Sequence, residues 1–234
     1  HKFSGGEPIL LGTGEAPVIS PDGRQVAFIK NGQVWSAPID GSEVSKQLFS
    51  ARGSMGQLAW SPDGAKLAFR SYRSDHSFIG IYSDDATPVQ WIDPSFDRDQ
   101  SPKWSPDSKK IAFIRQDGRG GAPDKYLEDE HYPWQIRVAN LSTSKSKMIW
   151  KAPETLRGNM PTTHGRANLN WGKGRIAFLS YQDGWPHIYS VSPEGGKALQ
   201  LTKGNYMNEY ITMSPSGEFL VSAANVAHAN DPLD

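Results

Sequence analysis

The sequence predicts an all-β fold, and three features carry this prediction. The tetrapeptide SPDG occurs at residues 20–23 and 61–64, and the close variants SPDS and SPSG occur at 105–108 and 214–217. A short apolar run follows each turn, as at residues 26–29 with the sequence VAFI. No segment with helical periodicity interrupts the pattern. Tight turns that alternate with short apolar runs are typical of antiparallel strands.

The spacing of the turns defines a repeat. Ser20 and Ser61 are 41 residues apart, and Ser61 and Ser105 are 44 residues apart. The residue before the turn is Trp104 in the third copy and Trp171 in the fourth, 67 residues later. We therefore predict repeats of about 42 residues, with an insertion of about 25 residues in the third copy.

The turn chemistry predicts the second strand of each copy. In the SPDG turn, proline presets φ for a type I turn, and glycine supplies the position where φ is positive. The run that follows is apolar on both faces, as a strand sandwiched between neighbouring sheets requires. These second strands are VAFI at 26–29, LAF at 67–69, IAFI at 111–114, IAFL at 176–179 and FLV at 219–221.

A third and a fourth strand complete each copy. Turns such as residues 40–42 (DGS) lead from the third strand to a short last strand, as at residues 47–49 and 199–201. Each copy is therefore predicted to hold four short antiparallel strands. The third strands are predicted at residues 33–37, 79–82, 135–138 and 187–191.

Four-stranded sheets that repeat every 40 to 50 residues or so are typical of the blades of a β-propeller, in which each blade buries its faces against the next. A β-sandwich is the alternative, but its strands need not repeat their sequence. We therefore interpret residues 1–234 as a single β-propeller region. The repeat cores are predicted near residues 17–49, 58–92, 102–150, 169–201 and 211–225.

The five copies are expected to be a fragment of a larger propeller. Residues 8–11 (PILL) read as the outermost strand of a blade, and the fifth copy stops near Asn225, after its second strand. A propeller closes completely to hide its sheet edges, and these two partial copies together would still lack a strand. The exposed blade edges are also predicted to favour a dimer.

Composition argues against several classes of function. The chain has 25 basic and 25 acidic side chains and a formal net charge of zero. This balance gives no electrostatic reason to expect a nucleic acid or an anionic membrane as partner. No run approaches the roughly 18 apolar residues that a membrane helix needs. Cysteine is absent, which excludes disulfides, thiol catalysis and cysteine-ligated metal.

The repeat at residues 60–69 (WSPDGAKLAF) resembles that of TolB-type propellers and of the N-terminal propellers of prolyl oligopeptidase-family serine peptidases. Three further segments resemble the peptidases, in particular bacterial dipeptidyl-peptidase IV-like members. These segments are RSDHSFIG at 73–80, PWQIRV at 133–138 and DGWPHIY at 183–189.

The resemblance implies an eight-bladed propeller that caps an α/β-hydrolase domain and filters the peptides that reach a Ser-Asp-His triad. It also implies a periplasmic or secreted location. The expected partners are a peptide substrate and a C-terminal hydrolase domain. No Gly-x-Ser-x-Gly nucleophile elbow occurs in the 234 residues, so no catalytic residue is predicted in this chain. No cofactor and no metal site is predicted.

The insertion, residues 117–134, is where we expect binding chemistry, because blade insertions project as loops. Its second half, residues 124–131, is predicted to form one or two helical turns. In dipeptidyl-peptidase IV-like enzymes, a helical insertion presents a pair of adjacent glutamates to the free α-amine of the substrate. The resemblance implies this role for Glu128 and Glu130, although Asp129 separates them here. A solvated acidic loop is the alternative, because charge runs are usually exposed.

Packing explains the remaining candidates better than binding does. Arg73, Asp75 and His76 lie between the second and third strands of their blade, where we predict a hydrogen-bond network between blades. Recurring tryptophans before the turn also indicate packing rather than ligand stacking. These are Trp60, Trp104 and Trp171.

The sequence leaves three functions open. The first is the propeller portion of a serine exopeptidase, the second is a TolB-like scaffold for protein–protein interaction, and the third is a sugar- or peptide-binding propeller that shares only the repeat. The insertion at 117–134 and the DGW segment at 183–185 favour the first.

Overall fold

The structure is a computed structural model that describes residues 7–118 and 131–226. These residues form eighteen β-strands and one 3-10 helix, which confirms the all-β prediction. Within these two segments, no helix has the length and apolar character needed to cross a membrane.

The first three blades each contain four strands, paired antiparallel in chain order. The first blade consists of β1 Glu15–Ile19, β2 Gln25–Lys30, β3 Gln33–Pro38 and β4 Lys46–Gln47. The second consists of β5 Ser54–Trp60, β6 Leu67–Arg73, β7 His76–Tyr82 and β8 Gln90–Ile92. The third consists of β9 Arg98–Trp104, β10 Lys110–Gln116, β11 Trp134–Asn140 and β12 Ser146–Lys151.

The last two blades differ in strand number among the described residues. A 3-10 helix at Leu156–Gly158 precedes the fourth blade. That blade consists of β13 Asn170–Trp171, β14 Ile176–Ser180, β15 His187–Val191 and β16 Leu199–Gln200. The fifth is a two-stranded sheet of β17 Asn208–Met213 and β18 Leu220–Ala224.

The repeated turn is closed by hydrogen bonds that require its serine and aspartate. In the second copy, the Ser61 hydroxyl donates to Asp63 Oδ1 at 2.6 Å and accepts from the Lys66 amide at 2.9 Å. The Gly64 amide donates to the Ser61 carbonyl at 2.8 Å, and φ of Gly64 is +71°. The Ser61 hydroxyl and the Gly64 amide find partners inside the turn, and the Asp63 amide donates to the Ser108 hydroxyl of the next blade. The turn can therefore sit against a buried strand. Ser20 and Ser105 make the equivalent bonds.

Apolar clusters fill the space between successive blades. Ala27 and Ile29 of the first blade pack with Phe69 of the second. Further along the chain, Ile114 of the third blade packs with Phe178 of the fourth. Burial on both faces of the second strand is what the continuous apolar runs predicted.

The tryptophans before the turns link neighbouring inner strands. Trp60 Nε1 donates to the carbonyl of Val18 at 3.3 Å, and Trp104 Nε1 donates to the carbonyl of Ala59 at 2.9 Å. Each bond joins one blade to the first strand of the preceding blade. These two indoles are therefore packing elements, as predicted.

A backbone irregularity recurs in or just before the first strand of each blade. Four residues before the first position of each turn, a non-glycine residue has a positive φ of 45° to 57°. In β1, β5, β9 and β17 the residue lies at a register shift in the pairing with the next strand. Bulges of this kind re-aim side chains. The five residues are Ala16, Gln57, Ser101, Asn168 and Tyr210.

One predicted strand is wrong. Residues 8–11 form no strand, although Leu11 packs against the cluster of Val26 and Phe28. Ile9 and Leu10 are 64% and 83% exposed. An apolar run becomes a strand only where a neighbour pairs with its backbone, and none of the described strands does so here.

Candidate functional site

A polar cavity of about 480 Å³ is lined by the first two strands of the second and third blades and by the loop before the fourth blade. Its walls come from β5, β6, β9, β10 and the loop before β13. Amide and guanidinium groups dominate the lining, unlike the apolar clusters between the blades. The lining side chains include Gln57, Arg70, Arg98, Gln100, Gln116 and Arg166.

Two further cavities continue this space. One of about 320 Å³ shares Gln57 and reaches Lys103 on β9. Another of about 360 Å³ shares Gln116 and Arg166 and reaches Tyr132. Because the lining residues are shared, we treat the three as one site, called the axial cavity below.

Every charged side chain among the described residues that line the axial cavity is a cation. The charged side chains of the cavity are Arg70, Arg98, Lys103 and Arg166, and no aspartate or glutamate of the described residues lines it. The whole chain is neutral, so this is a local separation of charge. A cleft lined by one sign of charge attracts ligands of the opposite sign.

Arg70 occupies a position that is aliphatic in the first, third and fourth blades. On the second strand of its blade, Arg70 pairs with Ile79 of the third strand. The residues that hold the same place in the pairing of second and third strands in the other three blades are Ile29, Ile114 and Leu179. The Arg70 guanidinium lies 5.1 Å from the centre of the Tyr72 ring. The Arg70 Nε is inaccessible to solvent and has no hydrogen-bond partner in the described chain.

The environment of Arg70 disfavours its charge. Burial lowers the pKa of the Arg70 guanidinium, and the nearby charges of Arg166 and Arg98 lower it further. Tyr72 and Asp99 oppose these effects. An anion in the axial cavity would supply the partner that the Arg70 Nε lacks among the described residues.

A strained loop carries Arg166. The Arg166 amide donates to the carbonyl of Thr163 at 2.8 Å, and the Asn168 amide donates to that of Gly165 at 3.0 Å. φ is positive at Gly165, Arg166 and Asn168, with values of 78°, 55° and 45°. Asn168 belongs to the irregularity that recurs in each blade, whereas the positive φ of Arg166 has no counterpart in the other copies. Non-glycine residues rarely adopt this region, and such residues cluster at functional sites.

The insertion departs from the rim of the axial cavity. Gln116, the last residue of β10, lines the cavity and accepts a 2.7 Å hydrogen bond from Gln100. Asp117 follows it, and the backbone carbonyl of Asp117 accepts a hydrogen bond from Arg98 Nε at 3.2 Å. Tyr132, near the other end of the insertion, lines the same cavity.

The predicted amine ligands Glu128 and Glu130 lie outside the described residues. Their role therefore stays a prediction. The described ends of the insertion place only its base, at the rim of the axial cavity.

The predicted network between blades at Arg73, Asp75 and His76 is not what the structure shows. The Arg73 guanidinium lies 4.7 Å from the Phe78 ring centre, and His76 Nδ1 is 2.6 Å from Asp75 Oδ1. Arg73 and His76 are the last pair of the β6–β7 hairpin. The tight hairpin turns their side chains onto their own blade, which explains the difference.

Asp99, in the acidic segment at 97–99, forms an ion pair with Arg115. Arg115 binds the Asp99 carboxylate through Nε and Nη2, at 2.7 and 2.8 Å, and also binds the Asp93 carbonyl. Burial raises the pKa of Asp99 to about 6, against the effect of Arg115. In the described part of the chain, no three His, Asp or Glu side chains are grouped to hold a metal ion.

The cationic residues of the axial cavity were not found by sequence reasoning. One signal was available, since LAFR at 67–70 breaks the pattern of VAFI, IAFI and IAFL in the other copies. Lys103 and Arg166 carry no comparable signal. They lie 33 and 96 residues from Arg70, and only the fold brings them together.

Comparisons with known proteins extend this description. No family model matches the sequence. An uncharacterized protein of Agrobacterium fabrum is 30% identical over 123 residues, which cover 44% of this chain and 40% of that protein. Dipeptidyl-peptidase 5 of Porphyromonas gingivalis is 24% identical over 188 residues, which cover 75% of this chain and 25% of that protein. The chain thus matches less than half the length of either curated relative.

Solved structures share its architecture. A protein assigned as TolB from Agrobacterium tumefaciens superposes with a TM-score of 0.61 at 18% identity, covering 93% of this chain and 72% of that one. Oligogalacturonate lyase from Vibrio parahaemolyticus gives 0.65 at 11% identity, covering 88% and 57%. A prolyl endopeptidase gives 0.54 at 20% identity, covering 84% and 30%.

The chain is a β-propeller domain. Its structural neighbours include TolB and the propellers of prolyl oligopeptidase-family peptidases, the two groups that the repeat sequence resembles. At these identities the likeness concerns the fold.

Proposed function

We propose that this propeller domain belongs to a serine exopeptidase that cleaves near the N-terminus of peptides, and that it selects substrates without being catalytic itself. The observation that carries the proposal is the alignment with dipeptidyl-peptidase 5, which covers 75% of this chain. It extends over most of the chain rather than over one shared turn.

The chemistry of the axial cavity supports a peptide as the ligand. Gln57, Gln100 and Gln116 present side-chain amides there, a group that both donates and accepts hydrogen bonds. Gln100 donates to Gln116, and Gln57 Oε1 accepts from the Ser101 amide, so a ligand would use their remaining donor and acceptor positions. A peptide backbone offers both kinds of group. The volume of about 480 Å³ lies within the usual range for small-ligand sites.

Glu128 and Glu130 are proposed to bind the free amine of the substrate. The cations of the axial cavity repel an ammonium group, whereas carboxylates on the insertion would attract it. The base of the insertion lies at the cavity rim, at Gln116 and Tyr132. A peptide amine near this face would therefore bind the carboxylates of the insertion rather than enter the axial cavity among its cations.

The test uses the full-length protein of the source organism and a pair of dipeptidyl amide substrates, one with a free amine and one N-acetylated. We expect hydrolysis of the free-amine substrate. Glu128→Gln and Glu130→Gln should each raise its KM roughly tenfold or more, the effect of losing a hydrogen bond to a charged group. Glu43→Gln, on an exposed loop, is the matched control.

Two outcomes would contradict the proposal. A full-length protein without a Gly-x-Ser-x-Gly domain, or without hydrolysis of either substrate, would exclude the exopeptidase. Equal effects of Glu128→Gln on the free and acetylated substrates would exclude only the amine-binding role.

A TolB-like interaction scaffold is the second candidate. The observation that favours it is coverage, because the TolB structure is matched over 72% of its length and the prolyl endopeptidase over 30%. This alternative predicts a parent protein that lacks a hydrolase domain and retains a protein partner on the propeller.

A further inference from the structure

We infer that the axial cavity binds the carboxylate groups of an acidic peptide, with Arg70 and Arg166 as its principal ligands. The choice of a peptide as the carrier of these carboxylates rests on the proposed function. The binding of carboxylate rests on the geometry of the cavity alone.

The first argument is the pattern of charge pairing. Elsewhere in the described chain, Arg115 pairs with Asp99, Arg137 pairs with Asp93, and Arg175 binds the hydroxyl and carbonyl of Ser190. Neither Arg70 nor Arg166 forms a side-chain hydrogen bond or ion pair with any described residue. The unmatched cations thus face one cavity, where a ligand can reach them.

The second argument is the cost of Arg70. The equivalent residues Ile29, Ile114 and Leu179 are 3%, 1% and 0% exposed, so the position favours an aliphatic side chain. Arg70 is half-buried at this position, and its Nε loses hydration without gaining a hydrogen-bond partner among the described residues. Local violations of this kind are expected at functional sites rather than in a structural core.

A third cation strengthens the site. Lys103 is half-buried, and burial alone lowers the pKa of its amine. It lines the part of the axial cavity that adjoins Gln57. Three cations from β6, β9 and the loop before β13 therefore surround a space without a described acidic group.

The shape of the donors selects the ligand. A guanidinium presents parallel N–H groups that match the two oxygens of a carboxylate. The neighbouring amide of Gln57 and the hydroxyl of Ser101 can bind the peptide backbone beside it. Acidic side chains and a peptide C-terminus both supply carboxylates, so the experiment separates these two sources.

The experiment measures binding of three peptides to the 234-residue chain by calorimetry at low salt. Acetyl-Ala-Glu-Glu-Ala-amide carries only side-chain carboxylates, acetyl-Ala-Gln-Gln-Ala carries only the C-terminal one, and acetyl-Ala-Gln-Gln-Ala-amide carries none. We expect the first or second to bind at least tenfold more tightly than the third. The preference should weaken with added salt, because ions screen these attractions. Equal affinity for all three peptides, or no binding, would overturn the inference.

Variants identify the ligands. Arg70→Ala and Arg166→Ala should each weaken binding of the preferred peptide by roughly tenfold or more. Arg24→Ala, on an exposed turn, should leave it unchanged. Arg166 is exposed, so its substitution keeps the test valid if Arg70→Ala disturbs the fold. Unchanged affinity in Arg166→Ala would show that the peptide binds elsewhere.

This result is separable from the exopeptidase proposal. If this chain binds an acidic peptide but the full-length protein hydrolyses neither dipeptidyl substrate, the carboxylate site is supported and the exopeptidase proposal is excluded. If the full-length protein hydrolyses the free-amine substrate but this chain binds no acidic peptide, the exopeptidase proposal is supported and the carboxylate site is excluded.

Discussion

Arg115 and Asp99 face each other across β10 and β9 and form a two-pronged ion pair inside the third blade. Arg115 Nε is 2.7 Å from Asp99 Oδ1, and Nη2 is 2.8 Å from Oδ2. The two residues are only 5% and 0% exposed. Their pairing lies on the same two strands that carry Arg98, Gln100 and Gln116 to the axial cavity.

Removal of one partner from this pair should be strongly destabilising. Asp99→Ala leaves the Arg115 guanidinium buried without its main partner, and we expect a loss of about 3–5 kcal/mol in the free energy of unfolding. Chemical denaturation measures the loss. Glu194→Ala is the control, since it removes the exposed Lys110–Glu194 pair at a cost of about 1 kcal/mol or less. Similar losses for both variants would contradict the prediction.

The opposite effect is expected at Arg70. Arg70→Met introduces an unbranched apolar side chain and removes a half-buried charge whose Nε has no described partner. We expect the free energy of unfolding to rise by about 1 kcal/mol or more. Arg24→Met, at an exposed position, should change it by about 0.5 kcal/mol at most. A clear loss of stability in Arg70→Met would mean that the guanidinium is structural.

The turn glycine should be required for its backbone conformation. A methyl group at Gly23 or at Gly56 would meet no atom within 4 Å, but φ is positive only at Gly23, at +70°. Gly23→Ala should therefore lower the free energy of unfolding by about 1–2 kcal/mol. Gly56→Ala, free of this strain, should be neutral or slightly stabilising. Equal effects, measured by thermal or chemical unfolding, would argue against a conformational cause.

The turn aspartates should make stability depend on pH. The Ser61 hydroxyl and the Ala65 amide lower the pKa of Asp63 below its usual 3.8. A lowered pKa means that the contribution of Asp63 is complete above about pH 4 and is lost as pH falls through the folded-state value.

Asp63→Asn tests this dependence. The variant should be less stable than the wild type near neutral pH, and the difference should shrink in acid. Denaturant midpoints at several pH values measure it, with Glu43→Gln as an exposed control. A difference that is constant with pH would show that the charge of Asp63 contributes nothing.

The fifth blade should mediate self-association. Phe219 and Val221 are 68% and 63% exposed, and β18 pairs only with β17 among the described strands. We expect concentration-dependent association in sedimentation experiments, weakened by Val221→Lys because an edge lysine opposes strand pairing. Val44→Lys, at a loop residue that is 89% exposed, is the control. A monomeric wild type at high concentration would contradict this expectation.

The sequence by itself determined the turns, the order of the strands and the propeller. The physical reason is that these features are local. The Ser61 hydroxyl finds both of its partners within five residues, and the apolar second strand follows directly. Repetition of that short unit then predicts blades without knowledge of any distant contact. The roles of Glu128 and Glu130 depend on more than local chemistry, and they stay predictions.

Only the tertiary structure decided the axial cavity and the buried ion pair. Arg70, Lys103 and Arg166 come from three different blades or loops. Arg70 interrupts the apolar run of its strand, but no local signal connects it with Lys103 or Arg166. Arg115 and Asp99 are 16 residues apart, and strand register places them opposite each other. The sequence could not predict these groupings because they depend on how the inner strands meet, and that follows from the packing of all blades together.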